Sequence, residues 1–212
     1  MNYYWTKTNT LIKKLFSKYI WDIPNTENKV YLTFDDGPIP GITEWVLEEL
    51  KKQDVKATFF CIGNNIDKNP DVFTKVINEG HIVGNHTFNH LNGLINSTEK
   101  YFENVKSCGV SISKLQSTTS NLFRPPYGKI RASQAKKVLQ LGYKIIMWDV
   151  LSADFDTSIS PEKCLENVLN NVNSGSIIVF HDSIKAFPNL KYTLPKTLKV
   201  LTERGFVFDT IN

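Results

Sequence analysis

Two neighbouring carboxylates, Asp35 and Asp36, close the run VYLTFDDGP, whose β-branched and aromatic residues are those of a buried strand. Asp-Gly-Pro is also ordinary turn vocabulary, but like charges so close repel, and burial raises the pKa of at least one unless a cation compensates. Candidate nitrogen ligands for such a cation exist. His86 and His90 stand four apart in NHTFNH, so one helical turn would put both imidazoles on the same side. With a carboxylate from another segment they make a three-ligand site with open positions, the catalytic pattern for zinc, and cobalt, nickel or iron accept the same donors. Adjacent strand residues normally leave on opposite faces, and the Gly37-Pro38 break is where the backbone can re-aim one of the acids. A metal there lowers the pKa of bound water towards about 7 and polarises a carbonyl. The second carboxylate then takes the water's proton, and His181, in IIVFHD, donates one to a poor leaving group. A backbone N–H near Tyr127, in the stiff turn RPPYG, could share the oxyanion with the metal. The constellation is one for hydrolysing an amide or ester.

The elements that must position these groups are legible as seven β-rich runs: KVYLTFDDG, KATFFCIG, HIVGNHT, LFRPPYG, KIIMWDV, SIIVFHD and GFVFDTI. Between them lie segments with apolar residues at helical spacing, such as ITEWVLEELKKQ, STEKYFENVKS and RASQAKKVLQLG. Ser97 and Ser160-Pro161 are cap-like starts. Strand and helix in turn imply an α/β fold, a mostly parallel sheet covered by helices. Seven such units suggest a (β/α)7 barrel, with an open doubly wound sheet as the alternative. In barrels of this kind the chemistry sits at the C-terminal strand ends, which is where three of the four histidines fall. His81 precedes its strand and reads as a core histidine satisfied by backbone.

With 212 residues, 41% hydrophobic and 22% charged, the chain is ordinary globular material. One domain is expected over residues 29–212, preceded by a helical extension, residues 1–28, packed on it. The net charge of +4 is scattered, with no basic stripe interleaved with aromatics, so nucleic acid is not an expected partner. Three cysteines without a CxxC pair argue against a disulfide framework. No run approaches the roughly 18 to 20 apolar residues of a membrane span, and the N-terminal stretch lacks an apolar signal core. A cytoplasmic or envelope-associated protein is expected, with LIKKLFSKYIW as a basic amphipathic helix that packs on the domain or touches a membrane surface. Oligomeric state leaves no trace in the sequence.

The whole resembles the polysaccharide deacetylases of the NodB-homology type, carbohydrate esterase family 4. TFDDGP, HTFNH, RPPYG and VFH match four of that family's motifs in order. The resemblance implies a distorted (β/α)7 barrel that removes acetyl groups from N-acetylglucosamine units of an oligo- or polysaccharide, using one divalent metal, foremost zinc. It implies Asp35 as base, Asp36, His86 and His90 as ligands, and His181 as acid. It further implies Arg124 as the partner orienting Asp35, the Tyr127 amide as oxyanion donor and Val179 in the acetyl pocket. The remaining motif departs from the pattern. Leu151 stands where an acid thought to tune the histidine is expected, and Phe155 where a groove tryptophan is, although Asp154 remains. On that reading His181 has no acid beside it, its pKa stays near the reference of about 6.5, and Asp149 or Asp182 is left to substitute electrostatically. The altered motif keeps two alternatives open: an amidohydrolase of a small non-sugar amide, and a non-catalytic carbohydrate-binding relative.

Overall fold

A computed structural model describes residues 4–116 and 121–212; residues 1–3 of the expected N-terminal extension lie outside them. In chain order the elements are α1 (Thr10–Leu15), β1 (Lys29–Asp35), α2 (Ile42–Lys52), β2 (Thr58–Cys61), α3 (Gly63–Lys68), α4 (Pro70–Asn78), β3 (Ile82–Asn85), α5 (Thr98–Leu115), β4 (Leu122–Phe123), α6 (Ala132–Gln140), β5 (Lys144–Ile145), β6 (Val150–Leu151), α7 (Pro161–Leu169), β7 (Ile177–His181), α8 (Phe187–Glu203) and β8 (Val207–Asp209). The strands lie in the order β5-β4-β3-β2-β1-β7-β6, and β8 pairs with the first half of β1. Every pairing between these strands is parallel. The result is a curled, open barrel with helices outside, the expected α/β architecture.

One expected strand is two. KIIMWDV pairs first with β4, at Lys144 and Ile145, and then, five residues on at Val150, with β7, the opposite side of the sheet. A single straight strand cannot reach both partners, so the chain bends at Met147 to Asp149. The N-terminal segment fills the space this leaves: Ile20 bridges Ile146 and Asp22 bridges Ser176.

Alternation along β1 and β7 decides what faces the lumen. Val30, Leu32, Phe34, Ile178 and Phe180 point outward into the main core beneath the helices, with Leu47, Phe59 and Leu190. Tyr31 and Ile177 point inward, where they plug the barrel with Phe60, Leu122, Ile146 and Ile211. The register sets Tyr31 beside Ile177, Thr33 beside Val179 and Asp35 beside His181. Polarity thus rises layer by layer towards the C-terminal mouth.

Caps fall where the sequence places them. Ser97 accepts from the Lys100 N–H, and Ser160, followed by Pro161, from the Lys163 N–H. The amphipathic N-terminal stretch is helical only over Thr10–Leu15, with Leu11 and Leu15 exposed. Among the described residues no helix is long and apolar enough to cross a membrane. The three cysteines are buried and unpaired.

Candidate active site

Asp35 ends β1 pointing into the mouth, 3% exposed. Its Oδ1 accepts from Arg124 Nη1 at 2.7 Å. Burial, the largest single influence, pushes its pKa up, but the Arg124 guanidinium together with His86 and His181 holds the carboxyl below its ordinary value. Arg124 is itself wholly buried. It donates to Thr33 Oγ1 and to the carbonyls of Ile146 and Met147, and lies over the Phe60 ring. Arg124→Met would leave a buried carboxylate unpaired, a loss of about 3–5 kcal/mol for broken buried pairs. Thermal unfolding is expected to show a melting temperature lower by about 10 °C, and an unchanged melting temperature would mean that Asp35 is neutral in the fold.

Asp36 parts from its neighbour through its own backbone. A φ of 86° turns it out of the strand, so the re-aiming begins one residue before the Gly37-Pro38 break. Its carbonyl accepts from Asn65 Nδ2 at 2.7 Å. Gly37 serves a different contact. The Asp182 carboxylate accepts from its N–H and from Thr43 Oγ1, and a Cβ on Gly37 would sit 2.0 Å from Asp182 Oδ2.

His86 and His90 do converge, but no helical turn carries them. They lie on an irregular loop with positive φ at Thr87 and His90. Side chains replace the missing ladder: Asn85 Oδ1 accepts from the Thr87 N–H, Thr87 Oγ1 from the Leu91 N–H, and Asn104 Oδ1 from the N–H groups of Phe88 and Asn89. His86 Nδ1 lies 2.8 Å from the Arg124 carbonyl. A carbonyl only accepts, so Nδ1 carries the proton and Nε2 the lone pair. That lone pair faces Asp36 Oδ1 at 3.8 Å, and His90 Nε2 lies 3.2 Å from the same oxygen. His90 Nδ1 meets the Tyr127 hydroxyl at 3.1 Å. Burial pulls both imidazoles below the ordinary histidine pKa, that of His90 to about 4 with help from His86, so both are neutral at pH 7.

One ligand atom from each of Asp36, His86 and His90 lies within 4.8 Å of the others. Asp36 Oδ1 is buried and makes no hydrogen bond, an arrangement that costs free energy unless something cationic meets it. The donor set of two neutral imidazoles and a carboxylate, with outer nitrogens engaged, fits a divalent ion.

His181 ends β7 beside Asp35, and here the sequence expectation fails. Asp154, fully buried, accepts from His181 Nδ1 at 2.7 Å through one oxygen and from the His181 N–H at 2.8 Å through the other. Burial alone would lower the His181 pKa, but the Asp154 charge and hydrogen bond raise it to about 9. The histidine does have its acid. The Leu151 side chain belongs to an apolar cluster with Ala153 and Val179, and the chain turns at Ala153, φ 61°, to bring Asp154 back under His181. Neither proposed substitute is at hand. Asp182 binds Gly37 and Thr43, and Asp149 accepts from Lys7, Lys13 and Ser176.

The other expected residues also gather here. Tyr127 adopts φ 61° in its turn and is 58% exposed. Phe155 sets its ring edge to face against His181, centroids 5.0 Å apart. Val179 is buried two residues before His181 on the same strand face. His81 accepts from the Ala57 N–H away from the site. The Tyr127 hydroxyl on His90 and the Asn104 brace were not anticipated, and no spacing in the sequence announces them.

A family model described as polysaccharide deacetylase matches residues 22–146. A peptidoglycan-N-acetylglucosamine deacetylase of Bacillus cereus is 34% identical over 193 residues, spanning 91% of this chain and 90% of its own length. A crystal structure of a peptidoglycan N-acetylglucosamine deacetylase in complex with 4-naphthalen-1-yl-N-oxidanyl-benzamide superposes with a TM-score of 0.88 at 31% identity, over 96% of this chain and 95% of that one. A CE4 family pseudoenzyme from Bacillus anthracis gives 0.82 at 25% identity, over 91% of this chain and 66% of its own.

Proposed function

The chain belongs to the polysaccharide deacetylase family of NodB-homology, CE4 type, and from that premise we propose that it is a metal-dependent hydrolase of the acetamido group on N-acetylglucosamine units of a cell-envelope glycan. The observation that carries this reading is the meeting of Asp36, His86 and His90 ligand atoms beside the Arg124-bound Asp35, with the Asp154-bound His181 next to Asp35 on the adjacent strand. A similar deacetylase holds an N-oxidanyl amide, a group that chelates metals through two oxygens, which supports the same donor set.

Asp36, His86 and His90 would hold the ion. When bound, a divalent ion there supplies Lewis-acid polarisation of the acetyl carbonyl and lowers the pKa of water. Asp35, kept ionised by Arg124, accepts the proton from the attacking water. His181, protonated through neutral pH because Asp154 faces it, delivers a proton to the leaving sugar amine. The N–H of Tyr127, placed by the two prolines before it, stabilises the negative oxygen. Val179 bounds the space for the methyl group, and Phe155 lines the groove for the sugar.

Acetate release tests this directly. N-acetylchitooligosaccharides and peptidoglycan fragments are expected to yield acetate, a chelator to abolish it, and added zinc to restore it, while acetylated xylan and small amides react far more slowly. Release that withstands chelation and dialysis would overturn the metal assignment. Turnover of small amides alone would overturn the substrate.

A further inference from the structure

The N-terminal segment is built into the barrel beside the site. Lys7 bridges Val150 in antiparallel sense, the Leu151 N–H donates to the Thr6 carbonyl at 2.9 Å, and the Thr8 N–H donates to the Asp149 carbonyl at 2.8 Å. Residues 6–8 thus cover the free edge of β6, the one antiparallel addition there to a parallel sheet. Side chains fasten it further: Thr8 Oγ1 donates to the Trp148 carbonyl, and Lys7 Nζ to Asp149 and to the Asn171 carbonyl. Ends of chains are usually loose unless tied down in this way.

Covering an edge requires only residues 6–8, but Tyr4, two residues before them, makes a hydrogen bond and a ring contact with the loop after β6. Its hydroxyl donates to Asp156 Oδ2 at 2.8 Å, and its ring meets Phe155 edge to face at 5.5 Å. The Phe155 ring also meets the His181 ring, edge to face at 5.0 Å. Tyr4 also joins the apolar cluster of Leu151, Ala153 and Val179. Phe155 is thus in edge contact with both Tyr4 and the proposed acid, and two aromatic neighbours fix its ring.

We propose that Tyr4 is a positioning residue that forms the outer wall of the sugar groove, holding the Phe155 ring where a pyranose ring of the substrate packs against it. The inference rests on the deacetylase reading above and adds a specificity element outside the family motifs. A residue that only braced the fold would affect every substrate alike. A groove wall affects substrates in proportion to how much of the groove they occupy.

The test compares Tyr4→Ala and Tyr4→Phe in the full chain. For Tyr4→Ala, kcat/KM on tetra-N-acetylchitotetraose is expected to fall about tenfold more than on a small aryl acetate, mostly through KM. Tyr4→Phe keeps the ring, loses only the bond to Asp156, and should recover most of the difference. Equal falls on both substrates, or none, would overturn the inference and leave the proposed function standing. Tetramer affinity, measured by calorimetry in the Asp35→Asn background with and without Tyr4→Ala, decides the matter without turnover. A tenfold weakening supports the wall and equal affinities sink it, while wild-type binding without acetate release would count against the deacetylase reading alone.

Discussion

Asp35→Asn is expected to lower kcat for acetate release by about three orders of magnitude, within the range that a positioned general base supplies, while zinc uptake persists. The amide is nearly the same shape and its oxygen can still accept from Arg124. Arg124 keeps its bonds to Thr33, Ile146 and Met147 and its place over Phe60, so the fold around it holds. What the amide cannot do is take up a proton near neutral pH. The side chains of Asp36, His86 and His90 are unchanged, and the Asp35 carboxylate stands 3.9 Å from His86 Nε2 through its Oδ2, beyond hydrogen-bond reach. Steady-state kinetics with metal analysis of the same preparation separates the roles. Loss of both activity and zinc would make Asp35 a ligand, and a kcat within tenfold of wild type would remove it as base. Wild type without turnover, yet with metal and sugar bound, would match instead the pseudoenzyme reading that a CE4 relative of similar fold exemplifies.

The ease of naming Asp35 and the difficulty of placing its neighbours have one physical source. A strand writes its faces into the sequence with period two, so Val30, Leu32 and Phe34 against Tyr31, Thr33 and Asp35 could be sorted by eye, and the same holds along β7 to His181. The barrel and the polar strand ends were legible for that reason. Loops carry no such period. His86 and His90 at spacing four look the same on a helical turn as on a loop held by Asn85, Thr87 and Asn104, and positive φ at Thr87 and His90 is not announced by a glycine. Motif spacing fails for a related reason around Leu151. Comparing offsets places an acid there, but Leu151 is still in the sheet, paired with Val179, and a carboxylate can return to His181 only after the chain has turned. The split of KIIMWDV between β5 and β6 was equally hidden, because it depends on the N-terminal residues Ile20 and Asp22 arriving from far away in sequence.

The same turn carries the second large effect. Because Asp154 holds the His181 pKa at about 9, the acid form that donates to the leaving amine is present throughout neutral pH and is lost only as pH rises through that value. The wild-type alkaline limb of kcat is therefore expected near pH 9. Asp154→Asn removes the charge that opposes burial, so the histidine pKa should fall to its reference of about 6.5 or below. Protonation at pH 8 then drops roughly thirtyfold for a group at the reference value, and kcat at pH 8 should drop with it while the loss at pH 6 is much smaller. The amide oxygen can still accept one of the two bonds from His181, so the ring keeps its place and the pH dependence isolates the charge. A pH–rate profile of both proteins, paired with a histidine NMR titration, reads it twice. An alkaline limb that stays near pH 9 in the variant would show that Asp154 does not set the acid's proton affinity, and a uniform loss at every pH would make Asp154 a purely structural clamp.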